Sequence, residues 1–256
     1  MTAAAHVSAP GAGAPLPFGL KLYRTMTAAA GPLAGLVLSY RLKQGKEDPA
    51  RINERRGVAG AARPEAPLIW IHGASVGESL SVLPIIERLA HHRPDLRILV
   101  TTGTVTSAKL MAERLPANAQ HQFAPVDRPA YVRAFLENWR PQLAVFLESE
   151  FWPNMILETR RSGTPLALIN GRISPETYRK WMKRPAFIRR LLEDFDLRIA
   201  QDGKNAERLS QLSRGHVAML GNLKMAAPPL PVDQAALDAL RAAIGDRPVL
   251  LASSPG

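Results

Sequence analysis

The stretch Pro67-Leu-Ile-Trp-Ile-His-Gly-Ala-Ser-Val-Gly-Glu78 constrains this chain more than any other. Leu68 to Ile71 form an uninterrupted apolar run, as expected of a strand buried on both faces. Small residues and two glycines follow. Leu80, Val82, Leu83, Ile86 and Leu89 then recur at helical spacing. Strand, glycine turn and helix make a βα corner of a parallel sheet, and such corners put side chains at the carboxyl edge where open α/β folds bind ligands. Glu78, placed by this reading at the start of a helix over 78–91, has its charged form favoured by the helix dipole and is a candidate general base.

The alternation continues. Strands are predicted at 67–72, 96–102, 121–126, 142–148, 165–170, 196–201 and 216–220. Helices fall between them at 78–91, 105–115, 129–138, 153–161, 175–193 and 203–212. Seven strands alternating with helices imply a doubly wound parallel sheet, one Rossmann-like domain over 45–224. In a chain of 256 residues that is 46% hydrophobic, such a domain has ample core. Residues 225–232, rich in proline, read as a stiff linker. Residues 233–256 hold one helix and, at Pro248–Ala252, one strand, which cannot bury their own apolar faces. They read as the start of an incomplete second domain.

Residues 1–17, mostly Ala, Gly and Pro, are expected to be a disordered leader. Residues 18–44 are apolar between cationic ends, Lys21 and Arg24 at one and Arg41 and Lys43 at the other. The uncharged run is short of the roughly 20 residues a spanning helix needs, and Gly31-Pro32 interrupts it. A helix lying in the membrane interface is the expectation, with a helix packed on the following domain as the alternative. The formal charge of +11 favours an anionic partner. Aromatics at 6%, with no basic-aromatic alternation, argue against a single-stranded nucleic-acid platform. The absence of cysteine excludes disulfides, thiolate metal sites and cysteine nucleophiles. Arg51, Arg55 and Arg56 are candidates for phosphate contact. The basic run Arg179, Lys180, Lys183, Arg184, Arg189 and Arg190 is either a solvated face or a contact for anionic lipid.

Gly73-Ala-Ser75-Val-Gly77 matches the nucleophile-elbow pattern of α/β-hydrolases. His91 and His92 fall at a helix end away from the active edge, and His121 and His216 are placed before strands, so a Ser75 triad is the lesser alternative. Glu148-Ser-Glu150-Phe-Trp152-Pro-Asn154 ends another strand and faces the same crevice. Asn170-Gly-Arg172 and Gly221-Asn-Leu-Lys224 do so again, with Arg172 and Lys224 as candidate anion contacts.

Taken together, His72-Gly-Ala-Ser-Val-Gly-Glu78, Glu148-Ser-Glu-Phe-Trp-Pro-Asn154, Asn170-Gly-Arg172 and Gly221-Asn-Leu-Lys224 resemble motifs of the 3-deoxy-D-manno-octulosonic acid (Kdo) transferase family of Gram-negative bacteria, over about Leu20 to Ser254. The resemblance implies a GT-B glycosyltransferase with two Rossmann-like domains and an inverting transfer of Kdo from CMP-Kdo to a lipid A precursor. That transfer would occur at the cytoplasmic face of the inner membrane, with no metal or cofactor. It implies Glu78 as general base, with Glu148 and Lys224 stabilising the transition state. Ser75, Gly77, Glu150, Trp152, Asn154 and Arg172 are the implied acceptor contacts, and donor contacts are expected beyond Gly256. Gly73 and Met225-Ala226 depart from the family pattern. A non-catalytic membrane- and glycolipid-binding fragment is the alternative function.

Overall fold

The computed structural model describes residues 15–226 and 232–250. Its elements in chain order are α1 (Phe18–Ala29), α2 (Gly31–Lys43), β1 (Leu68–His72), α3 (Val76–His92), β2 (Arg97–Thr102), α4 (Val105–Arg114), β3 (Ala119–Phe123), α5 (Pro129–Trp139) and β4 (Leu143–Leu147). Then come α6 (Pro153–Arg161), β5 (Leu166–Gly171), α7 (Pro175–Lys183), α8 (Pro185–Glu193), β6 (Leu197–Ala200), α9 (Gly203–Ser213), β7 (Ala218–Met219) and α10 (Gln234–Ile244). Short 3-10 helices occupy Pro49–Arg56 and Leu223–Ala226.

All seven strands are parallel, in the order β3-β2-β1-β4-β5-β6-β7. The chain runs outward one way from β1 and then returns to β4 on its other side, so β1 and β4 flank a topological switch point. In doubly wound folds the crevice at that point is where ligands bind. Period-two alternation divides each strand between two cores. Leu68 and Trp70 pack with Phe135, Trp139, Phe146 and Phe195 on one face, while Ile71 packs with Val82, Ile86, Ile98 and Val100 on the other.

Two expected single helices are each two. A helix over 175–193 is broken at Arg184, because Pro185 cannot donate to the preceding turn and instead starts α8. Ala30-Gly31-Pro32 likewise divides 18–44 into α1 and α2. No described helix is long and apolar enough to cross a membrane. Helix α1 is also part of the domain: Leu20 is fully buried in the core, Tyr23 Oη donates to Asp127 Oδ2 at 2.8 Å, and Arg24 pairs with Glu158. Its other side leaves Phe18, Leu22 and Met26 exposed, so packing and surface apolarity coexist on one helix. The 3-10 helix at Pro49–Arg56 was expected to offer its arginines to phosphate. Instead Arg55 is buried, donating to Glu47, Ala124 O and Gly103 O, and Arg51 grips Glu54 and His121 O. Pro248 to Leu250 carry no strand, and the rest of the expected strand there, like most of the leader and of the proline-rich linker, lies outside the described residues.

Candidate active site

Four strand ends build the site. After β1, Gly73 and Ala74 lead to Ser75, whose extended backbone (φ −110°, ψ 164°) and side-chain oxygen cap α3 by accepting from Glu78 N at 3.3 Å. Glu78 is thus the third residue of the helix, in a variant of the capping box. Its Oε1 accepts from Ser75 Oγ at 2.8 Å and its Oε2 from Ala74 N at 2.8 Å. A Cβ on Gly73 would stand 2.8 Å from Leu147 Cδ1 and 3.2 Å from Glu78 Cβ, so glycine lets the strand end lie against the carboxylate's stem. The ordinary extended conformation of Ser75 is unlike the strained turn of a nucleophile elbow, and its hydroxyl serves the cap and Glu78. The Ser75 hydrolase reading is therefore dropped.

After β4, Glu148 adopts a left-handed backbone (φ 50°), and Asn170, next to last in β5, does the same (φ 55°). Non-glycine residues in that region carry strain and cluster at functional sites. The conformation turns Glu148 toward three partners: Lys224 Nζ at 3.4 Å and Asn170 Nδ2 at 3.4 Å from Oε1, and Arg172 Nη1 at 3.6 Å from Oε2. Asn170 also accepts from Leu223 N through Oδ1 at 3.1 Å, which ties the segment carrying Lys224 to the end of β5. Lys224 and Arg172 keep half of their side-chain surface in solvent, whereas Glu148 is buried.

Glu150 is the third carboxylate. Its Oε2 accepts from Trp152 Nε1 at 2.5 Å and lies 3.6 Å from His72 Nε2. Burial would raise its pKa, but the imidazole of His72 and the Trp152 N–H outweigh burial and hold it below the usual carboxylate range. Glu78 goes the other way. Burial pushes its pKa up; the Ser75 hydroxyl opposes, the Glu150 charge adds, the Ala74 N–H opposes and the Glu148 charge adds. The helix end favours the charged form, and desolvation with two neighbouring anions acts in the opposite direction.

Ser75, Gly77, Trp152 and Arg172 are exposed around this cluster, and Glu150 is half-buried. Asn154 is not among them. It is fully enclosed, with Nδ2 donating to Asp127 O at 2.7 Å and Thr27 Oγ1 at 3.0 Å. Expected as an acceptor contact, it is a brace between α6, α1 and the loop after β3. Asp127, which no sequence signal singled out, is the centre of that brace. It accepts from Tyr23 Oη, Asn154 N and Met155 N, so it caps α6 and anchors α1 at once. His72, which heads the first family motif, was given no role of its own. It is buried, its Nδ1 is 2.9 Å from Thr101 Oγ1, and its Nε2 faces Glu150. His121 lies inside β3 rather than before it. Among the described residues no group of three or more His, Asp or Glu side chains could hold a metal ion.

Known proteins share this arrangement of sequence. Residues 50–227 match the family model described as 3-Deoxy-D-manno-octulosonic-acid transferase (kdotransferase). A 3-deoxy-D-manno-octulosonic acid transferase of Rickettsia bellii is 35% identical over 92% of this chain and 56% of its own length. One of Rickettsia felis is 41% identical over 73% of this chain and 40% of its own, and one of Haemophilus influenzae is 29% identical over 80% and 49%. The chain thus spans about half the length of the relatives it matches. A solved UDP-GlcNAc 2-epimerase from Neisseria meningitidis overlaps 69% of this chain at 12% identity and a TM-score of 0.47, a likeness too remote to carry an argument. The family model and these relatives together show that the chain belongs to the 3-deoxy-D-manno-octulosonic acid transferase family.

Proposed function

We propose that this chain is the acceptor-binding portion of a two-domain GT-B glycosyltransferase that moves Kdo from CMP-Kdo to a lipid A precursor. In this reading the work is done at the cytoplasmic face of the inner membrane. Residues 45–224 form the acceptor domain, 18–44 meet the membrane interface, 225–232 link to a second domain beginning at 233, and donor contacts lie beyond Gly256. The observation that carries the reading is the convergence of Glu78 and the Glu148–Lys224 pair at the β1/β4 switch point.

Glu78 takes the proton from an acceptor hydroxyl. That oxygen attacks the anomeric carbon of Kdo as the bond to CMP breaks, and the configuration inverts. A base must be ionised to act yet basic enough to hold the proton, and the upward shift of Glu78 moves it toward that compromise. Lys224, half exposed beside Glu148, offers a positive charge where negative charge develops on the leaving phosphate. Ser75 and Ala74 hold the Glu78 carboxylate in a fixed orientation. Ser75, Gly77, Glu150, Trp152 and Arg172 surround the acceptor.

Replacing Glu78 by Ala in the full-length protein tests this. Transfer from CMP-Kdo to lipid IVA should fall by about three orders of magnitude, within the range for loss of a general base, with the circular dichroism spectrum unchanged. Turnover close to wild type would remove Glu78 from the role.

A further inference from the structure

Helix α2 is apolar around most of its circumference, with Gly35, Ser39 and Lys43 along one side: Leu33, Leu36, Val37 and Tyr40 are exposed, and Leu38 is buried. Such a helix needs an apolar covering on more than one side. It is fastened near its two ends. At the first, Arg128 Nη2 donates to Ala28 O at 3.1 Å and its guanidinium lies against Gly31. At the second, Arg41 Nε donates to Glu47 Oε1 at 2.6 Å, and Glu47 is itself held by the buried Arg55.

Between these ties α2 bridges a cavity of about 550 Å³ at the carboxyl edge of the sheet. Leu33, Ala34 and Val37 roof it, and Ala124, Val126 and Met155 are part of its opposite wall. Packed interiors leave few voids larger than a water molecule, whereas ligand pockets run to about 300–1,000 Å³. His72, Ala74 and Trp152 line it too. His72 Nε2 is buried there, 3.6 Å from Glu150 Oε2 and with no shorter hydrogen bond among the described residues, and the Ala74 N–H is held by Glu78 Oε2.

We propose that this cavity holds a hydrocarbon chain of the acceptor amphiphile, threaded beneath α2 with its polar end at His72 and its sugar beside Glu78. The inference rests on the acceptor reading above. The lining is mostly apolar, and its carboxylates Glu47 and Asp127 and the guanidinium of Arg55 are already bonded within the protein, so a sugar placed there would leave hydroxyls unpaired. Arg128, which also lines the cavity, is partly exposed and adds a positive charge suited to an anionic headgroup. Leu36 and Tyr40 on the outer face give α2 an apolar contact with the membrane surface that the chain leaves, so the chain passes from bilayer to cavity without crossing open water.

The test uses the full-length protein and two probes, inorganic phosphate and dodecyl phosphate below its micellar concentration, titrated calorimetrically. Dodecyl phosphate should bind at least about tenfold more tightly than inorganic phosphate, with a negative heat-capacity change. Ala34→Trp, which fills the roof, should weaken dodecyl phosphate by about tenfold or more, while Leu36→Trp on the outer face leaves it unchanged. Equal losses in the two variants, or equal affinity for the two probes, would overturn the proposal. If circular dichroism shows Ala34→Trp unfolded, Ala34→Leu should give a smaller loss in the same direction, and no loss there overturns it equally. Probe binding needs no transfer, so failure here leaves the role of Glu78 standing. A Glu78→Ala protein that still transferred sugar would likewise leave the cavity result intact.

Discussion

Two clusters of charge lie at this edge of the sheet, and they are built differently. Around Glu47, Arg51, Glu54 and Arg55 the bonding is complete. Glu47 gives one oxygen to Arg41 and the other to Arg55, and Glu54 holds Arg51 with both oxygens while Oε2 also accepts from Phe123 N. The two guanidiniums of Arg51 and Arg55 lie over the Phe123 ring. Around Glu148, Lys224 and Arg172 the separations are 3.4–3.6 Å, both cations are half exposed, and the backbone at Glu148 and Asn170 is left-handed. The first cluster holds the chain before β1 against β3. The second keeps charge available at a crevice. Density of charge alone therefore does not single out a site; the proposed site differs by its incomplete pairing at the carboxyl edge of the sheet.

The sharpest way to break this contrast is to remove one cation from the complete cluster. Arg55→Ala should cost about 3–5 kcal/mol, because Glu47 is left buried with half of its pairing gone. Urea unfolding measures it, and a loss below about 1 kcal/mol, the scale of an exposed pair, would place both clusters in one class. Lys224→Ala should do the reverse. It should lower transfer by about a hundredfold, the scale of losing one transition-state contact, and leave the unfolding midpoint nearly unmoved, as expected for a half-exposed pair.

His121 sharpens the comparison through pH. Burial, with Arg51 and Arg55 beside it, lowers its pKa to about 3 from an ordinary value near 6.5. The unfolded chain then binds a proton that the folded one refuses. Stability from this group is complete above pH 6.5 and is lost as pH falls from there toward 3, by at most about 1.4 kcal/mol per pH unit. His121→Gln should flatten the fall in melting temperature between pH 7 and pH 5, and an unchanged slope would mean that His121 is not held neutral. The smallest effect is expected of Arg172→Ala, which should shift stability by no more than about 0.5 kcal/mol while raising KM for the acceptor.

The sheet was legible in the sequence because central strands such as β1 and β4 are apolar runs and the helices carry clear periodicity, whereas β3, Ala-Gln-His-Gln-Phe, is largely polar and lies at 119–123 rather than at 121–126. Helix 153–161 is observed with those bounds, since Pro153 fixes its start. What misled was the weight given to proline inside an apolar or amphipathic run: Pro32 and Pro185 each begin a new helix. Motif order singled out Glu78, Glu148 and Lys224 as candidates, and the structure brings the last two within 3.4 Å of each other. The roles of Asp127, Asn154 and Arg55 were illegible for a shared reason. Whether a polar side chain is a ligand contact or a buried brace depends on partners distant in sequence, such as Tyr23 with Asp127 or Glu47 with Ala124 around Arg55. The upward shift of Glu78 was not legible because local position reveals the helix end but not the burial or the two anions, Glu148 and Glu150, that follow β4.

The central claim is that Glu78 works as a base whose proton affinity is raised by burial and by its carboxylate neighbours. The pH dependence of kcat/KM for Kdo transfer by the full-length protein reads it directly. The ascending limb should rise at a pKa above the ordinary glutamate value of about 4.3, and it should move to lower pH in Glu150→Gln, where one of those neighbours has lost its charge. A limb at the ordinary value, or one that Glu150→Gln leaves in place, would contradict the account.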